Sequence, residues 1–193
     1  MNEVVNSDNA VTKWQPLTVS LIAIGALTRL LPHPMNMTAV GATSLFSGAR
    51  LSGWRAYVVP FAILAITEPV LGAIYGFPPF TWVSPFVYGS LAINVWIGRR
   101  LRSTESPWRI GVASLVGSIQ FFLITNFGVW IWGAGYNCPQ TAAGLVHCYL
   151  MGLPLLGRTI TGDLSYAAVL FGIHAWLSRK AFPRERVVAA AAQ

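Results

Sequence analysis

Seven apolar blocks, at residues 15–31, 38–49, 54–75, 83–98, 108–132, 141–156 and 159–178, leave little of the chain for anything else. A bilayer-spanning helix needs about 20 mostly apolar residues, and most of these blocks approach that length with few charges inside them. The 193 residues are 54% hydrophobic and 10% charged, where soluble domains run at about 45–50% and 25%. Both figures argue against a soluble globular fold. The expectation is an all-α, polytopic membrane protein. A tail over 1–14 precedes a single transmembrane domain at 15–178, and a basic tail follows at 179–193.

The formal charge of +7 would make nucleic acid a candidate partner for a soluble chain, through phosphate neutralisation. Here the charges fall between apolar blocks, and no basic helix with base-reading side chains is present, so no nucleic-acid partner is expected. The lipid bilayer is the expected partner. A cleaved signal is not expected either. Acidic Glu3 and Asp8 precede Lys13, and the first apolar run leads into Leu31-Pro32-His33-Pro34-Met35-Asn36-Met37 without an Ala-x-Ala site.

The distribution of Lys and Arg sets the number of crossings, because cytoplasmic loops retain them. Lys13 flanks the first block, Arg50 and Arg55 lie in the second connection, and Arg99, Arg100, Arg102 and Arg109 lie at the fourth. Arg179, Lys180, Arg184 and Arg186 follow the last block. With six spans and both termini in the cytoplasm, all of the 13 basic residues except Arg29 and Arg158 are inside. Block 141–156 is then an outer half-helix, ended by the break at 152–158. The short block 38–49 is rich in small residues and needs neighbours to complete its crossing. The eight Trp fall near span ends, where their rings favour the headgroup level. Ala113/Gly117, Ser114/Ser118 and Ala168/Gly172 are small pairs four apart that allow helices to approach closely.

Ionisable residues inside apolar blocks are costly and demand a partner or a watery cavity. Four qualify: Arg29, Glu68, Arg158 and Asp163, all toward the outer end. Glu68 lies about 21 Å along its helix from Trp54. The structural expectation pairs Glu68 and Asp163 with Arg29 and Arg158, and the functional one is a polar pocket open to the outside. His33, Asn36, Thr38, Thr81, Asn126, Trp130, Trp132, Tyr136, Asn137 and His147 gather at the same end. With Glu68 and Asp163 they form the candidate binding set. Flat rings and a few polar groups suit a small organic ligand.

His33, His147, Cys138 and Cys148 could in principle ligate a metal or haem, but no Cys-x-x-Cys or His-Glu-x-x-His spacing occurs. His174 lies toward the opposite end and could not join them. No metal and no cofactor is expected. A Cys138–Cys148 disulfide is doubtful if 141–156 is helical, since Cys148 then lies about 10 Å along the helix. No nucleophile elbow, P-loop or paired catalytic carboxylates occur, so no catalytic residues are assigned and the chain is not expected to be an enzyme.

The run Leu31 to Thr38, with Gly41 and Gly48, the block Pro85-Phe86-Val87-Tyr88-Gly89-Ser90, and the block Asn126-Phe127-Gly128-Val129-Trp130 carry a resemblance. Thr141, Gly144-Leu145, Cys148-Tyr149 and Gly162-Asp163 extend it. Together they resemble a family of small, uncharacterised bacterial membrane proteins over about residues 17–175. More distantly, the layout resembles the substrate-binding S-components of energy-coupling-factor vitamin transporters. That resemblance implies the bacterial cytoplasmic membrane, a vitamin-like micronutrient captured at the outer face, and an energising module as partner. The stretch Ser20 to Arg29 lacks the Ala-x-x-x-Ala pair through which S-components commonly dock on that module. Solitary cobalamin-specific relatives use a cysteine where this chain has Gly76 to Thr81, so thiol ligation of cobalt is not implied there. The expected function is substrate binding and transport, and the alternative is an intramembrane enzyme or an assembly scaffold.

Overall fold

The computed structural model describes residues 15–32, 34–102, 104–132 and 138–181. Six α-helices account for most of them: α1 Pro16–Leu27, α2 Val40–Arg50, α3 Arg55–Tyr75, α4 Ser84–Arg99, α5 Pro107–Trp132 and α6 Ala142–Lys180. A 3-10 turn, Thr28–Leu30, extends α1. No strand occurs among the described residues. Prolines stand in the first turn of α1, α4 and α5, where the missing N–H is not needed. Gly76 ends α3 in the left-handed conformation, φ 74°, that a side chain would resist.

Three helices, α3, α5 and α6, are long and apolar enough to cross a membrane. The six spans expected from the block pattern are therefore not all present as long helices. The 11-residue α2 and the 16-residue α4 are the short ones, beside the 12-residue α1. The outer half-helix is also corrected. Blocks 141–156 and 159–178 form one 39-residue helix with Pro154 inside it. Proline removes one intrahelical hydrogen bond, whereas unwinding 152–158 would strand several backbone groups in an apolar setting. Continuing the helix costs less.

The short α2 occupies the centre. From Ala42 to Arg50 every residue is buried, although the segment is mostly Gly, Ala, Ser and Thr. Its hydroxyls are satisfied locally: Thr43 and Ser44 donate to the Val40 carbonyl at 3.0 and 2.8 Å, and Ser47 to the Ala56 carbonyl at 2.7 Å. Small side chains let α4 come into backbone contact with it. A methyl group at Gly48 would strike the Val95 carbonyl, and one at Gly98 would strike the Leu45 carbonyl. Such approach gives the crossing close dispersion and polarised C–H contacts along the backbone. Below this crossing, Phe46 packs edge-on against Phe171 at 5.0 Å and near His174 at 5.5 Å.

The two ends of the bundle differ in chemistry. At one end, Arg50 donates to the carbonyls of Arg102 and Thr104 at 3.2 and 3.3 Å, and Arg99 to that of Gly53 at 2.6 Å. Arg102 reaches the Leu51 carbonyl at 3.4 Å, and Arg179 pairs with Glu105. The basic residues of the second and fourth connections thus clasp one another's loops, and Arg179 ties the end of α6 to Glu105 of the fourth. At the other end lie Arg29, Glu68, the Trp82–Trp132 stack and the Cys138–Cys148 disulfide.

Adding one methyl at Gly98 tests the α2–α4 contact. Gly98→Ala should cost about 1–3 kcal/mol through overpacking. Gly111→Ala, in open space on α5, should be neutral or stabilise by up to about 1 kcal/mol. Thermal unfolding of the two variants in detergent distinguishes them.

Candidate functional site

Arg29 ends the 3-10-extended first helix, and its guanidinium reaches across to α3. There it pairs with Glu68 and donates to the Thr67 hydroxyl at 2.6 Å. The two charged side chains are 12% and 20% exposed, so the pair is largely withdrawn from surroundings that could solvate it. Thr67 in turn donates its hydroxyl hydrogen bond to the Ile63 carbonyl at 2.8 Å, which holds its oxygen toward Arg29. One half of the expected pairing is therefore present.

The other half is not. Among the described residues no ion pair joins Arg158 to Asp163. Five residues on a helix are about 140° apart in azimuth, so the two side chains leave α6 in different directions. Arg158 is exposed, on an open depression with Pro34, Met37 and Pro154. Asp163 is buried, 4% exposed, and turns inward against α2 and α5. Its carboxylate accepts the Ser118 hydroxyl at 2.8 Å and the backbone N–H of Ala42. Gly41 lies so close that a methyl group there would collide with both carboxylate oxygens.

These groups share one cavity of about 190 Å³. Its polar lining is Arg29, Asn36, Thr38, Glu68, Thr159 and Asp163, and its apolar walls come from α2, α3, α4 and α5. Asn36 is exposed, Thr38 half-buried and Asp163 buried, so the lining grades from an open rim to a closed floor. Asn36 adopts a positive φ of 65°, a conformation asparagine tolerates better than most residues. Five of the candidate residues read from the sequence, Arg29 among them, thus converge.

The remaining candidates lie elsewhere. Asn126 donates to the Phe122 carbonyl at 2.9 Å and packs against Gly152, joining α5 to α6. Trp130 donates to the Pro139 carbonyl at 3.0 Å, and Trp132 stacks on Trp82 at 5.2 Å. Thr81 and His147 are exposed. His33, Tyr136 and Asn137 fall outside the described residues, as do the tails 1–14 and 182–193. Thr67 and Ser118 were missed as partners. The signal for Ser118 was a hydroxyl in an apolar helix, read only as a small packing residue.

The disulfide corrects a further expectation. Cys138 and Cys148 are bonded, with Cα atoms 5.7 Å apart. Helical rise alone would separate them, but residues 138–141 run back alongside the first turns of α6. Thr141 caps that helix by accepting from the Gly144 N–H at 3.1 Å, and Gly144 leaves room for the Pro139 carbonyl. With both sulfurs in the bridge, neither is a thiolate ligand. Among the described residues no group of three or more His, Cys, Asp or Glu is placed to hold a metal ion.

Breaking the Arg29–Glu68 pair on one side leaves a charge without its partner. Arg29→Met should destabilise the protein by about 3 kcal/mol or more, and Arg29→Met combined with Glu68→Leu should recover most of that loss. Melting temperatures of the single and double variants measure the coupling.

No curated protein and no solved structure matches the chain significantly. A family model does match, over residues 10–187, and by that match the chain belongs to DUF6580, a family of unknown function.

Proposed function

We propose that this protein is a membrane-embedded binding and transport component that takes a small organic, vitamin-like micronutrient from the outer face of the bacterial cytoplasmic membrane. In this reading α1 to α6 make six crossings, with both termini in the cytoplasm. The long helices span by themselves. The shorter α1, α2 and α4 complete their crossings with the adjoining connections, inside a sheath that covers their ends. Segregation of charge supports the orientation, because the Arg-clasped end has the composition of cytoplasmic loops. A disulfide at the opposite end fits an oxidising exterior. In this reading the protein is S-component-like, with a short second helix but without the first-helix alanine pair.

The cavity bounded by Arg29, Glu68 and Asp163 is the observation that carries the reading. Charged side chains are placed inside an apolar bundle only at a cost, and here three of them surround a space rather than filling it. Apolar walls with a few convergent polar groups are what a small-molecule site requires. The aromatic residues Trp130 and Trp132 lie near the same end but outside this lining. In this function they brace the outer connections and do not stack on the ligand.

Native mass spectrometry of protein released from membrane vesicles tests the proposal. A small adduct that is neither lipid nor detergent is expected on the wild type. It should be lost in Val87→Phe, which fills the cavity from a half-buried wall position while sparing the charges. Wild-type protein carrying only lipid and detergent would overturn it.

A further inference from the structure

We propose that the occupant of this cavity is a small organic cation whose positive charge is held against Asp163. The inference rests on the ligand-binding reading above and adds the chemical class of the ligand. Three charged residues line the space, Arg29, Glu68 and Asp163, so the lining carries one net negative charge. The positive member is already committed, because Arg29 is engaged by Glu68 and Thr67. Asp163 has no basic partner among the described residues.

In the ionised form the Ala42 N–H and the Ser118 hydroxyl both donate to Asp163, the hydroxyl oxygen also lying 3.1 Å from the Ser114 carbonyl. A carboxylate accepts at about four positions, so acceptor capacity remains on a side chain that is 4% exposed and lines the cavity. The N-terminus of α2, at Val40–Ala42, faces the same group, and its dipole favours negative charge there. Those donors hold the carboxylate in place without cancelling its charge as a cation would. A ligand bearing an ammonium or amidinium group would donate to the free positions and complete the pair.

Size narrows the class further. The volume of about 190 Å³ lies below the roughly 300–1,000 Å³ typical of drug-sized ligands. It far exceeds what a bare inorganic ion would fill. The apolar contribution of Val40, Leu64, Val87, Leu91 and Phe121 calls for a hydrocarbon or ring portion beside the charge. An amine with a short apolar body meets both requirements, whereas a carboxylic acid would face uncompensated repulsion from Asp163 at the floor.

Isothermal titration on the detergent-purified full chain separates the possibilities. The probes are a set of small amines, the alcohols of the same shape, the matching carboxylates, and sodium chloride alone. Binding confined to amines is expected. It should weaken about tenfold or more in Asp163→Asn, the scale of a lost charge-assisted hydrogen bond. Asparagine can still accept from Ser118 and Ala42, so an unchanged melting temperature without ligand confirms that the variant folds. Arg158→Gln, on the other side of α6, should leave affinity unchanged. Saturable binding of alcohols, carboxylates or sodium that survives Asp163→Asn would overturn the cation assignment and leave the cavity as a ligand site. Absence of binding in every arm would overturn both.

Discussion

One carboxylate closes the centre of this bundle. The helix α2 starts at Val40 behind Ala39, which offers no side-chain cap of its own. Its first N–H groups would otherwise be stranded among apolar neighbours, at a cost of a few kcal/mol each. Asp163, from the middle of α6, accepts the Ala42 N–H and at the same time binds the Ser118 hydroxyl of α5. A single side chain thereby fastens three helices. Glycine at position 41 is the geometric condition, since any Cβ there would displace the carboxylate. Once α2 is capped from outside, it can be short, small-sided and wholly interior, and α4 can cross it in backbone contact at Gly48 and Gly98.

The same arrangement explains why a polar cavity persists at this level. Capping α2 brings a charge deep into the bundle. The apolar side chains around it, Leu64, Leu91 and Phe121 among them, pack against each other and leave the carboxylate's remaining face open. Arg29 and Glu68, which neutralise one another, form the adjoining wall. At the far end the chemistry is different. There, arginines donate to loop carbonyls, so the positive charges that mark this end also hold its connections together.

Hydropathy and charge cost disclosed how far along the bundle a residue lies, but not which way it points. Arg29 and Glu68 were legible as partners because each interrupts an apolar block at the same depth. Asp163 was legible as costly for the same reason. Its assignment to Arg158 failed because sequence proximity ignored the turn of the helix between them. Asn126, Trp130 and His147 lie toward the same end of the bundle as the cavity but beyond its level, and they face other neighbours or the exterior, which hydropathy alone could not reveal. Helical rise alone argues against the disulfide, and chain reversal at 138–141 removes that separation. Pro154 and its flanking glycines signal a break, yet one lost hydrogen bond is a small penalty where backbone groups have no other partners. Thr141, with its cap, marks the true start of the long helix.

Hydrogen–deuterium exchange across residues 39–50 tests the central role of Asp163 most directly. The wild-type protein should show this small-residue helix among the slowest-exchanging segments, despite its short length and weak intrinsic propensity. Asp163→Ala should speed exchange first at the initial turn around Ala42, ahead of the rest of α2. Wild-type exchange over 39–50 as fast as that of the exposed connections, or an initial turn indifferent to the loss of the carboxylate, would contradict the account.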